Sequence, residues 1–218
     1  RGSVIYQFSN ADTTDFSDHI PTGRAWCWEI ARQSNGAPVC VFSVQSDFAA
    51  LGGRDWRDDR IYYYYARWTG RNWQKRFIAQ AGRPLYSVEE DYAGGICVDP
   101  VEPNTVYISS NAQEPFNLTS VTNISLRASS RYELWRGVTA DGGSTFTWTQ
   151  ITTNSTMDNL RPYVPRRNGG EPCVIWFRGT YSSYTSYGCS VVGLFTTVVP
   201  TPPVSSQPLI HLPTSRVL

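Results

Sequence analysis

The sequence predicts an all-β protein of three successive four-stranded antiparallel units, followed by a Pro-rich C-terminal arm. Three observations carry this. Aromatic residues make up 14% of the 218-residue chain, with 8 Trp and 13 Tyr, and such side chains fit a pleated, half-buried surface. Turn signals of the Asn/Gly/Pro hairpin type recur 69 and then 64 residues apart, at Asn35, Asn104 and Asn168. The same order of short strand, tight turn and second strand surrounds each of them, which is the self-similarity of a repeat architecture.

The first unit, about residues 20–80, opens with Trp26-Cys-Trp-Glu-Ile-Ala-Arg, turns at Ser34-Asn35-Gly36 and returns through Pro38-Val-Cys-Val-Phe-Ser-Val. Its second hairpin is Arg60-Ile-Tyr-Tyr-Tyr-Tyr-Ala-Arg-Trp, the turn Thr69-Gly70-Arg71-Asn72, and Trp73-Gln-Lys-Arg-Phe-Ile-Ala. The second unit, about 92–153, reads Gly95-Ile-Cys-Val-Asp-Pro, a turn at Glu102-Pro103-Asn104, and Thr105-Val-Tyr-Ile-Ser-Ser. It continues with Arg131-Tyr-Glu-Leu-Trp-Arg-Gly-Val-Thr, a turn at Asp141-Gly142-Gly143, and Phe146-Thr-Trp-Thr-Gln-Ile-Thr. The third, about 160–197, has Arg161-Pro-Tyr-Val-Pro-Arg, a turn at Asn168-Gly169-Gly170, Pro172-Cys-Val-Ile-Trp-Phe-Arg and Tyr187-Gly-Cys-Ser-Val-Val-Gly-Leu-Phe. It lacks a clear fourth strand, and Val4-Ile-Tyr-Gln-Phe is the segment expected to supply one. A four-stranded unit of this size cannot bury both faces alone, so residues 1–197 are expected to stack as propeller-type blades. A β-sandwich is the alternative, and the long irregular loops disfavour a β-helix. Residues 198–218, rich in Pro and Ser, read as an extended arm or a disordered tail. Within it, Leu209-Ile210-His211-Leu212 suits docking on a neighbouring subunit as an added strand.

With 19 Lys and Arg against 18 Asp and Glu, the net charge of +1 offers no footprint for nucleic acid. Lys75 is the only lysine; arginine, with its planar fork, suits carboxylates and aromatic faces, although solvated surface positions explain the same bias. No run approaches the roughly 18 apolar residues of a membrane helix, and no signal peptide opens the chain. Three sequons, at Asn117, Asn123 and Asn154, predict a glycosylated, secreted or extracellular protein. The five cysteines, Cys27, Cys40, Cys97, Cys173 and Cys189, have no CxxC spacing, so no metal site is expected. Their odd number leaves at least one thiol unpaired within the chain. Cys40 and Cys173 lie in apolar runs and suit either small core residues or a disulfide. Phosphate-binding Gly loops are absent, and no cofactor is implied.

One motif leads to a family. Thr139-Ala-Asp141-Gly-Gly143-Ser-Thr145-Phe146 resembles the Asp-box, Ser/Thr-x-Asp-x-Gly-x-Thr-Trp, with Phe146 in the place of Trp. Together with Tyr65-Ala-Arg-Trp-Thr-Gly-Arg-Asn-Trp73, Gly95-Ile-Cys-Val-Asp-Pro, Val106-Tyr-Ile-Ser and Asp158-Asn-Leu-Arg-Pro162, it makes roughly residues 15–195 similar to the BNR-repeat propellers of the sialidase-like superfamily. The similarity is greatest to the group containing polysaccharide lyases that act on uronic-acid polymers, such as ulvan lyases. An Asp-box is a structural motif and speaks for fold before activity. Family members usually close a ring of about six or seven blades. Three do not, so the chain is expected to be a piece of a longer protein or to complete its sheets with copies of itself.

In a propeller, the loops between the second and third strands and between successive blades open on one face, where ligands bind. The resemblance implies a lyase with a His or Tyr base, and an Arg neutralising the uronate carboxylate. Here His19 is the base candidate, Tyr92 the acid candidate, and Arg24 or Arg161 the carboxylate clamp. Glu90, Trp56, Asp158, Asn159, Tyr181 and Tyr184 complete the candidate substrate-binding set, the aromatics by stacking on sugar rings. The plainer alternatives are that Asp18-His19 and Asp158-Asn159 cap turns and that the aromatics pack between blades. A glycoside hydrolase is less well served: Glu89, Glu90 and Asp91 are consecutive and cannot all face one pocket. A sialidase would need an arginine triad that the spacing does not single out, and no Gly-x-Ser-x-Gly elbow supports a serine hydrolase. The expected function is therefore a secreted polysaccharide-interacting protein, with lyase chemistry on uronic-acid glycans if it is an enzyme. The alternatives are a non-catalytic glycoprotein that self-assembles into homo-oligomers or fibres through unit edges and the arm, and a carbohydrate-binding module.

Overall fold

The computed structural model describes residues 4–6, 23–46, 60–86, 91–117, 131–166 and 173–195. These are all-β, with eleven strands: β1 (Gly23–Arg32), β2 (Pro38–Ser46), β3 (Arg60–Trp68), β4 (Trp73–Gly82), β5 (Ile96–Val98), β6 (Thr105–Ser110), β7 (Glu133–Val138), β8 (Thr147–Gln150), β9 (Asp158–Tyr163), β10 (Cys173–Ser183) and β11 (Ser186–Phe195). They form three antiparallel sheets in the orders β1-β2-β3-β4, β5-β6-β7-β8 and β11-β10-β9. No described helix is long and apolar enough to cross a membrane.

The strand pattern shows why the sheets stack. Tyr62, Tyr63, Tyr64 and Tyr65 are all essentially buried on β3. Successive strand residues point to opposite faces. Tyr63 and Tyr65 therefore enter the core shared with the second sheet, alongside Val39, Val41, Ile61, Ile96, Val98, Val106 and Ile108. Tyr62 and Tyr64 join Cys40, Phe42, Val44 and Phe77 on the other face. A second shared core joins Tyr107 and Leu134 of the second sheet to Val164, Val174 and Trp176. The strand that docks there is β9, which touches β5, β6 and β7.

Two sequence expectations are corrected. The third unit has three strands among the described residues, not four. Nor does the N-terminal segment complete it: Ile5 and Tyr6 lie on the outer face of the first sheet, where Tyr6 packs edge-on against Tyr64 at 5.7 Å and against Phe42 at 5.8 Å. The physical reason is apolar area. The outer face of the first sheet presents Phe42 and Tyr64, and Ile5 and Tyr6 bury apolar area against it. All five cysteines are free: Cys27 is exposed, Cys40 and Cys97 are buried, and Cys173 and Cys189 are half-buried. Burial, with Cys27 nearby, pushes the Cys40 thiol up to about 12, which suits an inert core residue. The arm at 198–218 and the turn at Asn168-Gly169-Gly170 lie outside the described residues.

Between β7 and β8, Thr139 Oγ1 donates to Asp141 Oδ1 at 2.8 Å and accepts from Gly143 N at 2.8 Å. Asp141 in turn accepts from Thr145 N at 2.8 Å and from Thr145 Oγ1 at 2.7 Å. Phe146 leaves this turn to pack edge-on against Tyr65 at 5.5 Å and to stack on Trp148 at 5.5 Å. The turn thus fixes the hairpin and drives an aromatic wedge into the core shared by the first and second sheets.

Candidate functional site

Arg161 marks the site. It sits in β9 with φ of +52°, one of two described non-glycine residues in the left-handed region, where an L side chain carries a cost of order 1–3 kcal/mol. Two features hold it there. Its backbone N donates to Gly94 O at 2.5 Å. Gly95, itself at φ +105°, lets the chains approach so closely that a Cβ on it would lie 3.2 Å from Arg161 Cα.

The result is a guanidinium set between aromatic rings. Its Cζ lies 5.2 Å from the Tyr181 ring centroid and 5.8 Å from that of Tyr92, and its Nη2 donates to Tyr181 Oη at 3.3 Å. Tyr86 stacks on both Tyr92 and Tyr181, at 5.9 Å each. Tyr181 stacks further on Tyr187 at 5.4 Å, and Trp26 leans on Tyr92 at 5.5 Å. Arg24 adds a second cation, 3.9 Å from Asp91. All three sheets contribute: Arg24 and Trp26 from β1, Tyr92 from the approach to β5, and Arg161, Tyr181 and Tyr187 from β9, β10 and β11. Trp26 and Tyr187 are 47% and 61% exposed, so the cluster opens to solvent. Arg161 Nε, by contrast, is buried with no hydrogen-bond partner among the described residues. A guanidinium held on aromatic faces is suited to a carboxylate or sulfate on a ring-bearing ligand.

Of the residues singled out in the sequence, Arg24, Tyr92, Arg161 and Tyr181 meet here. Arg161, expected where the junction loop meets the third unit's first strand, and Tyr181, expected in a loop, both lie within strands, because β9 starts at Asp158 and β10 runs on to Ser183. Tyr184 lies beyond β10, in its turn to β11, and is 59% exposed. Asp158 and Asn159 do other work. Asp158 accepts from Tyr132 N at 3.1 Å and pairs with Arg131 at 3.3 Å. Asn159 is 1% exposed. Its amide donates to Tyr132 O at 3.1 Å and Ser155 Oγ at 2.9 Å, and it accepts from Trp176 Nε1 at 2.9 Å. Its polar atoms are consumed in locking β9 onto the second sheet. His19, Trp56, Glu90 and the sequon at Asn123 lie outside the described residues. The other two sequon residues, Asn117 and Asn154, are both exposed, Asn154 at φ +51°.

Sequence reasoning did not single out Trp26, Tyr86 and Tyr187 as site residues, and weighed Asp91 only among the consecutive acids of a hydrolase. The available signal was position: Tyr86 and Asp91 fall in the junction between the first and second units. Trp26 and Tyr187 read as strand residues, and only the stacking of sheet ends brings them in. Among the described residues, no group of three or more His, Cys, Asp or Glu is arranged to hold a metal ion. No family model matches the chain, and no curated protein or solved structure is significantly similar to it.

Proposed function

We propose that this chain is a secreted, glycosylated protein whose three sheets are blades of a partial propeller of the BNR type. In this reading it binds an acidic polysaccharide at the Arg161–tyrosine cluster. The observation that carries the reading is Arg161 itself: a strained backbone and a guanidinium between Tyr92 and Tyr181, in a cluster that opens to solvent at Trp26 and Tyr187. A protein stores strain of this kind where a side chain must be aimed. A uronate carboxylate would pair with the guanidinium, while the sugar's apolar face lies on Tyr181, Tyr187 or Trp26. The Asp141 turn and the sheet-on-sheet cores support the propeller reading.

As a lyase, the cluster would work by β-elimination together with His19, which lies outside the described residues. His19 takes the proton beside the carboxylate, and Arg161, with Arg24, stabilises the enolate that forms. Tyr92 then protonates the departing glycosidic oxygen as the new carbon–carbon double bond closes. Arg161→Ala is expected to weaken binding of a uronic-acid oligosaccharide by about ten- to a hundredfold, the range of a charge-assisted hydrogen bond. Arg161→Lys should recover only part of it, because the fork is lost. Calorimetric titration measures both, and undiminished affinity in Arg161→Ala removes the reading. Wild type and His19→Ala, assayed by absorbance of the unsaturated product, separate lyase from binding module: no product from either protein leaves binding alone.

A second reading, a non-catalytic glycoprotein assembling into homo-oligomers, is favoured by β11. Among the described residues, β11 is a ten-residue edge strand and carries Tyr187, Val191, Leu194 and Phe195 at 44–64% exposure. A long, exposed, apolar edge is a template for pairing with another chain.

A further inference from the structure

At the end of the first sheet opposite Arg24, the β3–β4 turn forms a groove of about 620 Å³ that the cluster around Arg161 does not use. Residues 60–86 carry six cations, Arg60, Arg67, Arg71, Lys75, Arg76 and Arg83, and no carboxylate. Three of them, Arg71, Lys75 and Arg76, line the groove. Among the described residues, neither Arg71 nor Arg76 pairs with a carboxylate. Arg67 is committed elsewhere: it donates to Gln74 Oε1 at 3.1 Å and lies against Gly142 of the β7–β8 turn.

The walls are built rather than loose. Thr69 Oγ1 donates to Asn72 at 2.6 Å and accepts from Asn72 N at 3.1 Å, and Thr69 N donates to Asn72 O at 2.9 Å. This fixes the turn between Trp68 and Trp73, whose indoles pack edge-to-face at 5.7 Å. Val4 and Ile5 close the other side, and Lys75 Nζ sits 5.7 Å from the Tyr6 ring centroid.

We propose that this groove is a second glycan subsite, taking an anionic sugar unit with its sulfate or carboxylate between Arg71 and Arg76 and its ring against Trp68 and Trp73. The volume is that of a pocket for a whole small molecule rather than a bare anion, and a bare anion makes no use of two indoles. A nucleic acid would need a longer positive track than one hairpin of a chain with net charge +1. The subsite is independent of Arg161 and survives the failure of that reading.

The test follows the indole resonances of Trp68 and Trp73 by NMR, in the full chain, during titration with a sulfated dextran oligosaccharide. Saturable shifts are expected, and Arg71→Gln/Arg76→Gln should weaken the affinity tenfold or more. Both arginines are exposed, so the variant is expected to keep the wild-type circular dichroism. Arg161→Ala should leave the shifts intact, which separates this subsite from the other cluster. Equal affinity in the double variant, or equal affinity for unsulfated dextran, overturns the proposal. Inorganic sulfate giving the same shifts at the same concentration reduces the groove to an anion site and overturns the sugar. A single-stranded oligonucleotide binding more tightly than the oligosaccharide overturns the glycan.

Discussion

Tyr63 shows how much one side chain does here. Its ring lies in the core between the first and second sheets, and its hydroxyl is fully buried where it donates to Ser109 O at 2.9 Å and accepts from Gly95 N at 2.8 Å. Burial pushes its ionisation far above the usual phenol range, so it serves only as a neutral hydrogen-bonding group. Tyr63→Phe keeps the packing but orphans two buried backbone groups. It should cost about 1–3 kcal/mol in denaturant unfolding, and a change within about 0.5 kcal/mol would mean the groups find other partners. Asp141 makes the complementary case at the surface. Its hydrogen bonds from Thr145 and Thr139 hold its carboxyl at about 2, below the ordinary 3.8. A group depressed in the folded state contributes stability above its unfolded value, and the contribution fades as pH falls through the folded one. Wild type should therefore lose stability between about pH 4 and pH 2, while Asp141→Asn shows a flatter profile there by thermal melting.

At the scale of an element, the β7–β8 turn couples hairpin to core. Gly143 stands at φ +97°, and a Cβ on it would lie 2.5 Å from the Tyr65 ring. Gly143→Ala meets both the left-handed backbone and a ring that Phe146 already packs against, so destabilisation of about 2 kcal/mol or more is expected. The measurement is a urea midpoint, and a neutral result would show that the turn does not hold Tyr65 in place. The hairpins themselves were legible: Asn35, Glu102-Pro103-Asn104 and Thr69-Gly70-Arg71-Asn72 lie at β1–β2, β5–β6 and β3–β4 turns as their residue types require. Strand ends were less so. Tyr181 follows a run of small and polar residues that suits a loop, yet pairing with Tyr187 carries β10 past it. Cross-strand pairing outweighs local propensity.

For the whole molecule, the two ends differ. The outer face of the first sheet is buried around Phe42, Tyr62 and Tyr64, whereas the third sheet ends in the exposed strand β11. A charge on that edge opposes pairing. If β11 mediates self-association, Val191→Lys should shift wild-type oligomers toward monomer in sedimentation velocity at equal concentration. Oligomers unchanged by Val191→Lys would show that β11 is not the contact.

The sequence by itself determined the all-β class, the hairpin grammar and the strands' approximate places, because period-two apolar runs and turn residues act locally. It also picked out Arg24, Tyr92, Arg161 and Tyr181 as candidates, while leaving open whether they would meet. Only the tertiary structure decided that they do, and that Asp158 and Asn159 are spent on structure. It also placed Tyr6 on the first sheet rather than in the third. These outcomes depend on which sheet faces stack and how closely Gly94 and Gly95 let Arg161 approach. Such distances are set between residues far apart in the chain, and no local pattern encodes them.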